Sequence, residues 1–323
     1  EIRGSVMGLS TVDAFKHIRS EEALTLTDEQ LKDLQRTLNG MLSDLDECCR
    51  RNGLTYVLGG GSCLGAVRHH GFIPWDDDVD VNMPRADLEK FLVLFEKEYG
   101  DRYWVHSPQT TKGYGLTLSR ILLKGTSVRT REDFQNEECG AFLDIFPIEN
   151  TYDNKLLRRL HGLSCMAAGF AQSCSKFKRD RKELLRLAAS IEDPGERKHY
   201  LKIFRVKIAL GCLFFWHSPD GWTKRCDRVY KRCTDSNSGY VTMPSGRGHF
   251  FRELYERKQI LPGVPMAYED RQYPVPSDYD AYLTRLYGNY REIPPENKRE
   301  KHIFFAPFCL QDETKGREEK GRE

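Results

Sequence analysis

GGGSCLGAVRHHGFIPWDDDVDVNMPR, residues Gly59 to Arg85, joins a glycine-rich turn to a short apolar run and then to four carboxylates, Asp76, Asp77, Asp78 and Asp80. A backbone without Cβ lets a ligand approach closely and presents N–H groups to it. A helix opening at Ser62 adds free amides and the positive end of a dipole. The turn therefore predicts phosphate contacts at Gly60, Gly61 and Ser62. Asp78, Val79, Asp80 and Val81 alternate, so on a strand both carboxylates share one face and both valines the other. Two acids on one face repel unless a cation stands between them, and hard oxygen ligands suit Mg2+ or Mn2+. The bland reading of the same residues is a solvated acidic turn ahead of the helix that follows Pro84.

Outward from this stretch, Thr27-Asp-Glu-Gln30 has the capping-box form, and Leu31, Leu34, Leu38, Met41, Leu42 and Leu45 recur at helical spacing until Gly53. Leu54 to Leu58 reads as a short buried strand feeding the glycine turn. Beyond Pro84, residues 87–99 form a second amphipathic helix stopped by Gly100. Strands are predicted at 103–106, 116–123, 127–130 and 140–146. In the last of these, Asp144 lies within an otherwise apolar strand, where a lone carboxylate is costly to bury. A helix cap or an arginine partner would compensate it. The preferred expectation makes it a third carboxylate beside Asp78 and Asp80, sharing a metal or accepting a proton.

The run from Gly65 through Asp80, followed by Met83-Pro-Arg85, resembles the signature of the LicD family, phosphocholine transferases that share a region with the fukutin-type proteins. The resemblance extends to Asp144-Ile-Phe-Pro147 and to Pro294-Pro295 and His302, covering about residues 28 to 308 unevenly and most weakly in the middle. It departs from the pattern at Cys63 and Asn82. It implies an α+β fold: a nucleotidyltransferase-like mixed β-sheet with flanking helices, beside a mainly helical basic region. It also implies transfer of phosphocholine, or a related phospho-substituent, from a CDP-linked donor such as CDP-choline to a hydroxyl of a cell-surface glycan of the lipopolysaccharide or teichoic-acid type, or its lipid-linked precursor, with release of CMP. On that reading Asp78, Asp80 and Asp144 are catalytic and hold Mg2+ or Mn2+, with Asp144 as candidate base. Gly60, Gly61 and Ser62 contact phosphate, and Arg68 is a further charge partner in substrate binding. Trp75 stacks on the cytosine or faces a quaternary ammonium, with core packing as the alternative. Arg120 and Lys124 are candidates to reach the phosphates, with a surface role as the alternative. His69 and His70 are either proton carriers or packing residues. A nucleotidyltransferase passing a nucleoside monophosphate from an NTP to a small hydroxyl compound uses the same acids. A noncatalytic protein binding anionic glycan or nucleic acid through the basic segment is the third reading, and nucleic acid is not the expected partner.

The formal net charge of +2 hides an asymmetry. Residues 155–235 carry 19 Lys or Arg against 8 Asp or Glu, a net +11 that leaves −9 for the remainder. Such a segment fits anionic partners, including peripheral contact with a membrane, or it presents solvated helix faces. The apolar run 208–216 is too short to span a bilayer and reads as a core helix or a membrane-surface element. The ten cysteines include no Cys-x-x-Cys pair, which excludes zinc-ligand spacing and suggests reduced, buried thiols. With no apolar leader in the first ten residues, a cytoplasmic location is expected, peripheral at the membrane if the basic segment meets it. The chain divides on this reading into an N-terminal extension (1–27), a catalytic core (28–150), a basic helical region (151–235), a segment closing the catalytic unit (236–310) and a disordered tail (311–323).

Overall fold

The expected capping box forms. In the computed structural model the first helix, α1 (Asp28–Asn52), starts with reciprocal Thr27 and Gln30 hydrogen bonds and ends on Gly53 in the left-handed region at φ 62°. The described residues are 24–130, 136–191, 193–296, 299, 302 and 304–310. The tail expected at 311–323 and most of the N-terminal extension lie outside them.

From α1 the chain runs through β1 (Val57–Leu58), α2 (Gly60–His69), β2 (Asp80–Pro84), α3 (Arg85–Tyr99), β3 (Tyr103–His106), β4 (Ser119–Leu123), β5 (Ser127–Thr130) and β6 (Phe142–Thr151). The sheet order is β1-β2-β6-β4-β3, with β2 and β6 parallel and the other pairs antiparallel, giving the mixed sheet of an α+β fold. Val79, Val81, Ile121, Leu143 and Ile145 are fully buried in the main core, together with Leu42 and Leu45 of α1 and Phe91 and Phe95 of α3. Burial of these side chains holds the sheet between its helices at roughly 1.5–3 kcal/mol apiece.

Four helices follow: α4 (Lys155–Arg179), α5 (Arg181–Ala189), α6 (Pro194–Leu213) and α7 (Pro219–Tyr230). The chain then returns to the sheet. β7 (Tyr240–Thr242) pairs with the second half of β6, and β8 (Leu254–Glu256) pairs with β7. Two short helices, α8 (His249–Arg252) and α9 (Arg257–Ile260), flank β8, and β9 (Val264–Tyr268) and β10 (Arg271–Val275) form a hairpin. α10 (Tyr279–Tyr287) is stopped by Gly288, and β11 (Phe304–Cys309) pairs with β5. Because β6 runs on to Thr151 and meets β7, the sheet continues past residue 150, where the composition changes.

The helical region is anchored by buried charge. Arg85, at the start of α3, pairs with Glu149 of β6 and, at 2.9 Å, with Asp227 of α7. All ten cysteines are free, and eight of them are buried. No helix among the described residues is long and apolar enough to cross a membrane.

Candidate active site

Register sets the site. Asp80 of β2 lies opposite Asp144 of β6, Asp144 opposite Arg120 of β4, and Arg120 opposite His106 of β3. Directly paired residues project from the same face of a sheet, so two acids, a guanidinium and an imidazole stand abreast on one face. Strand β2 begins only at Asp80. Asp78 precedes it, in a segment that still joins the ladder through Asp144 N–H donating to Val79 O at 3.0 Å.

The acids are delivered by a turn. Pro74 follows Ile73, whose carbonyl accepts from Asp76 N–H at 2.8 Å, a four-residue turn with proline at its second position. Gln35 of α1 clamps it from outside, donating to Asp76 O at 2.8 Å. Burial, then the carboxylates of Asp78, Asp77 and Asp80, push the Asp76 carboxyl well above its usual range. Burial also raises Asp78; nearby His302 opposes this, while Asp77 and Asp144 add to it.

His302 answers that negative charge. Its backbone N–H and ring Nδ1 both reach the Asp77 carboxylate, at 2.9 and 2.8 Å, and Nδ1 lies 3.7 Å from Asp78 Oδ2. Desolvation disfavours the charged ring. Asp77 and Asp78 outweigh it and lift His302 to about 10. Two-fifths of the side chain is exposed, so solvent moderates the pairing. Asp77, Asp78 and His302 bring one ligand atom each to within 4.8 Å of one another.

Helix α2 opens at Gly59 as N-cap, three residues earlier than expected, so Ser62 lies within its first turn. The Ser62 hydroxyl accepts from Asp80 N–H at 2.9 Å, a bond that fixes the strand carrying the acid. The glycines leave room for carboxylates. A methyl group at Gly60 would stand 2.5 Å from Asp80 Oδ2, and one at Gly61 would stand 2.9 Å from Asp76 Oδ2. Asp80 and Asp76 thus stand against this helix start, where the dipole favours negative charge. Gly60 N–H donates to the Tyr282 hydroxyl at 3.0 Å, and Asn82 Nδ2 donates to the same oxygen at 3.1 Å. Tyr282 lies on α10, 200 residues from Asn82, and sequence reasoning missed it.

The other expected residues have partners within the protein. Asp144 has the arginine partner: Arg120 donates Nε to Oδ1 at 2.6 Å and Nη2 to Oδ2 at 3.0 Å. Arg120 also stacks 3.9 Å from the Phe142 ring centroid and is buried, so a surface role is excluded. Lys124 is not brought to the acids. Its amine donates to Gly100 O at 2.6 Å, holding the end of α3, because it lies four residues along the chain from Arg120. Arg68 donates to Tyr290 O at 2.8 Å and Glu292 O at 3.2 Å, a latch onto the C-terminal segment, although Asp76 is near enough to act on its charge. Trp75 is capped by Arg299, whose guanidinium lies 4.1 Å from the ring centroid. His69 accepts from Arg68 Nε at 3.0 Å, and His70 closes α2 in the left-handed region.

Residues 53–161 match the family described as LicD/FKTN/FKRP, nucleotidyltransferase domain. Across 295 residues the chain is 25% identical to the lipopolysaccharide cholinephosphotransferase LicD of Haemophilus influenzae, covering 89% of this chain and 99% of that protein. The chain carries a LicD-family nucleotidyltransferase domain. An uncharacterized protein of Rickettsia prowazekii is 36% identical over 83 residues, 23% of this LicD-type chain and 31% of the relative. One of Rickettsia typhi is 36% identical over 70 residues, 20% and 23% of the two chains. The family match includes the acid turn, β2, β4 and β6; His302 and Tyr282 come from outside it.

Proposed function

We propose that this transferase moves phosphocholine, or a related phospho-substituent, from a CDP-linked donor to a hydroxyl of a glycan such as lipopolysaccharide or its lipid-linked precursor, releasing CMP. The observation that carries the reading is the crowding of Asp76 and Asp80 against the start of α2, with Asp78 close to Asp76 and with Asp144 and Arg120 in register beside Asp80. Likeness over nearly the whole length of a cholinephosphotransferase supports the substituent and acceptor class.

Carboxylates that raise one another's proton affinity form a donor set of hard oxygens, which fits Mg2+ or Mn2+. Asp78 and Asp80 would hold the ion, which when bound supplies charge neutralisation to the diphosphate. Arg120, paired with Asp144, and His302, paired with Asp77, bring positive charge close to the acids for the phosphate oxygens. The acceptor oxygen attacks the phosphorus bearing choline, the bond to the CMP oxygen breaks, and the hydroxyl proton passes to a carboxylate. Asp76, whose proton affinity is raised by burial and its neighbours, suits that last step better than Asp144, both of whose oxygens Arg120 engages.

The test is 31P NMR of the protein with CDP-choline and Mg2+ or Mn2+, beside Asp78→Asn and Asp80→Asn. Appearance of CMP and a choline phosphate, absent in both variants, is the expected result. Consumption of CDP-ethanolamine, CDP-glycerol or CDP-ribitol in its place changes only the substituent. Pyrophosphate released from an NTP, with every CDP-linked compound intact, would overturn the reading in favour of nucleotidyl transfer.

A further inference from the structure

The outward side of α4 is apolar. Leu156, Leu160, Leu163 and Phe170 recur there at spacings of four, three and seven, one face of a helix, and are 66, 54, 54 and 38% exposed. The opposite face is the packed one: His161 meets Val229 O at 3.0 Å, and Gln172 donates to the Thr223 hydroxyl of α7. The stripe runs on into aromatics past the end of α6. Phe170 meets Phe214 edge-on, Phe214 meets Trp216, and Phe215 and Trp216 are 77 and 56% exposed. Exposed leucines in a row with a protruding Phe-Trp tip form a surface that water solvates poorly.

Charge identifies what covers it. The 25 residues of α4 include six Lys or Arg and no carboxylate. Exposed Lys155 and Arg159 lie beside the leucines, and neighbouring α7 adds exposed Arg225 and Arg228. A second copy of the chain meeting it face to face would bring the same positive charge to the contact, whereas an anionic lipid surface supplies both the apolar phase and the counter-charge. Tryptophan with phenylalanine at a helix end fits the headgroup boundary of a bilayer.

We propose that the outward face of α4, with the Phe215-Trp216 tip, docks the protein on an anionic bilayer surface. The docked element is tied to the site. Gln172 donates to Gly115 O at 2.8 Å, and Arg179 donates to Gly113 O at 2.9 Å, on the segment that leads into β4 and Arg120. The proposal rests on this surface alone and stands or falls independently of the donor.

Flotation of the full chain with phosphatidylcholine vesicles, with and without phosphatidylglycerol, tests it at low and high salt. Binding is expected only with phosphatidylglycerol and declines with salt. Leu160→Gln with Leu163→Gln, and Phe215→Ser with Trp216→Ser, each lower partitioning by about tenfold or more, since one buried leucine is worth about that factor. Arg159→Glu with Arg225→Glu weakens binding to anionic vesicles alone. Thermal unfolding stays unchanged in the leucine and arginine variants, whose side chains are exposed, and turnover of a soluble donor stays unchanged in all three, because none of these residues belongs to the acid cluster. Equal binding to neutral vesicles overturns the proposal, as does failure to float with anionic vesicles at low salt. So does light scattering in which the apolar variants only convert a dimer to a monomer.

Discussion

Asp80, Asp144, Arg120 and His106 occupy successive strands at one level of the sheet, and each carries a different burden. Replacing Asp80 or Asp78 by Asn removes charge from the cluster while keeping its shape. Transfer is expected to fall by about 10²–10³, the scale of losing a preorganised electrostatic group, with unaltered circular dichroism; retention of a tenth of the activity would remove these residues from the chemistry. Glu253 poses a separate problem. It is buried, and that burial lifts its carboxyl from 4.5 to about 7, although the Gly248 amide, Arg252 and Arg247 favour its charge. Below pH 4.5 both folded and unfolded chains keep the proton; between 4.5 and 7 only the folded chain does. The unfolded state therefore binds fewer protons in that window, and stability falls as pH rises, by about 3 kcal/mol in total. Glu253→Gln should flatten that part of the curve, read by urea unfolding at successive pH values against the parent chain.

At the scale of elements, α1 and α2 show how far local signals reach. Capping residues, periodic leucines and a terminal glycine specify α1 without help from elsewhere, and the helix matches its expected bounds to within a residue. Gly40, exposed in its middle, has open space where a methyl group would stand, with nothing within 4 Å. Gly40→Ala should stabilise the protein by about 0.5–1 kcal/mol. The start of α2 behaves oppositely. Gly60 has φ +41° and no space beside Asp80, so Gly60→Ala should destabilise by about 1–3 kcal/mol and lower activity by displacing the acid. Chemical unfolding of the two variants side by side checks both signs. Glycine at 60 and 61 is legible in the sequence as close approach. The approaching group is not, because a carboxylate and a phosphate make the same demand of a backbone.

Across the whole molecule, one arginine joins the sheet to the helical region. Arg85 faces both Glu149 and Asp227, each almost fully buried. Arg85→Met leaves buried Glu149 without its arginine and Asp227 with only the more distant Lys231, 3.7 Å away, and should cost about 3–5 kcal/mol. Adding Glu149→Leu and Asp227→Leu should recover most of that loss in urea unfolding; no recovery would mean that packing, rather than charge, sets the cost. The sequence by itself determined the elements whose causes are local: the capped helix α1, the acid-bearing turn, the helix after Pro84, and the apolar strand around Asp144 that had to compensate its carboxylate. Only the tertiary structure decided that Arg120 is the compensation, that His302 returns from more than 220 residues away to Asp77, and that Lys124 lies beyond reach. It also decided that the leucine stripe of α4 faces outward. Periodicity specifies which side chains share a face, whereas what meets that face depends on contacts between distant segments, and these leave no spacing in the chain for a reader to find.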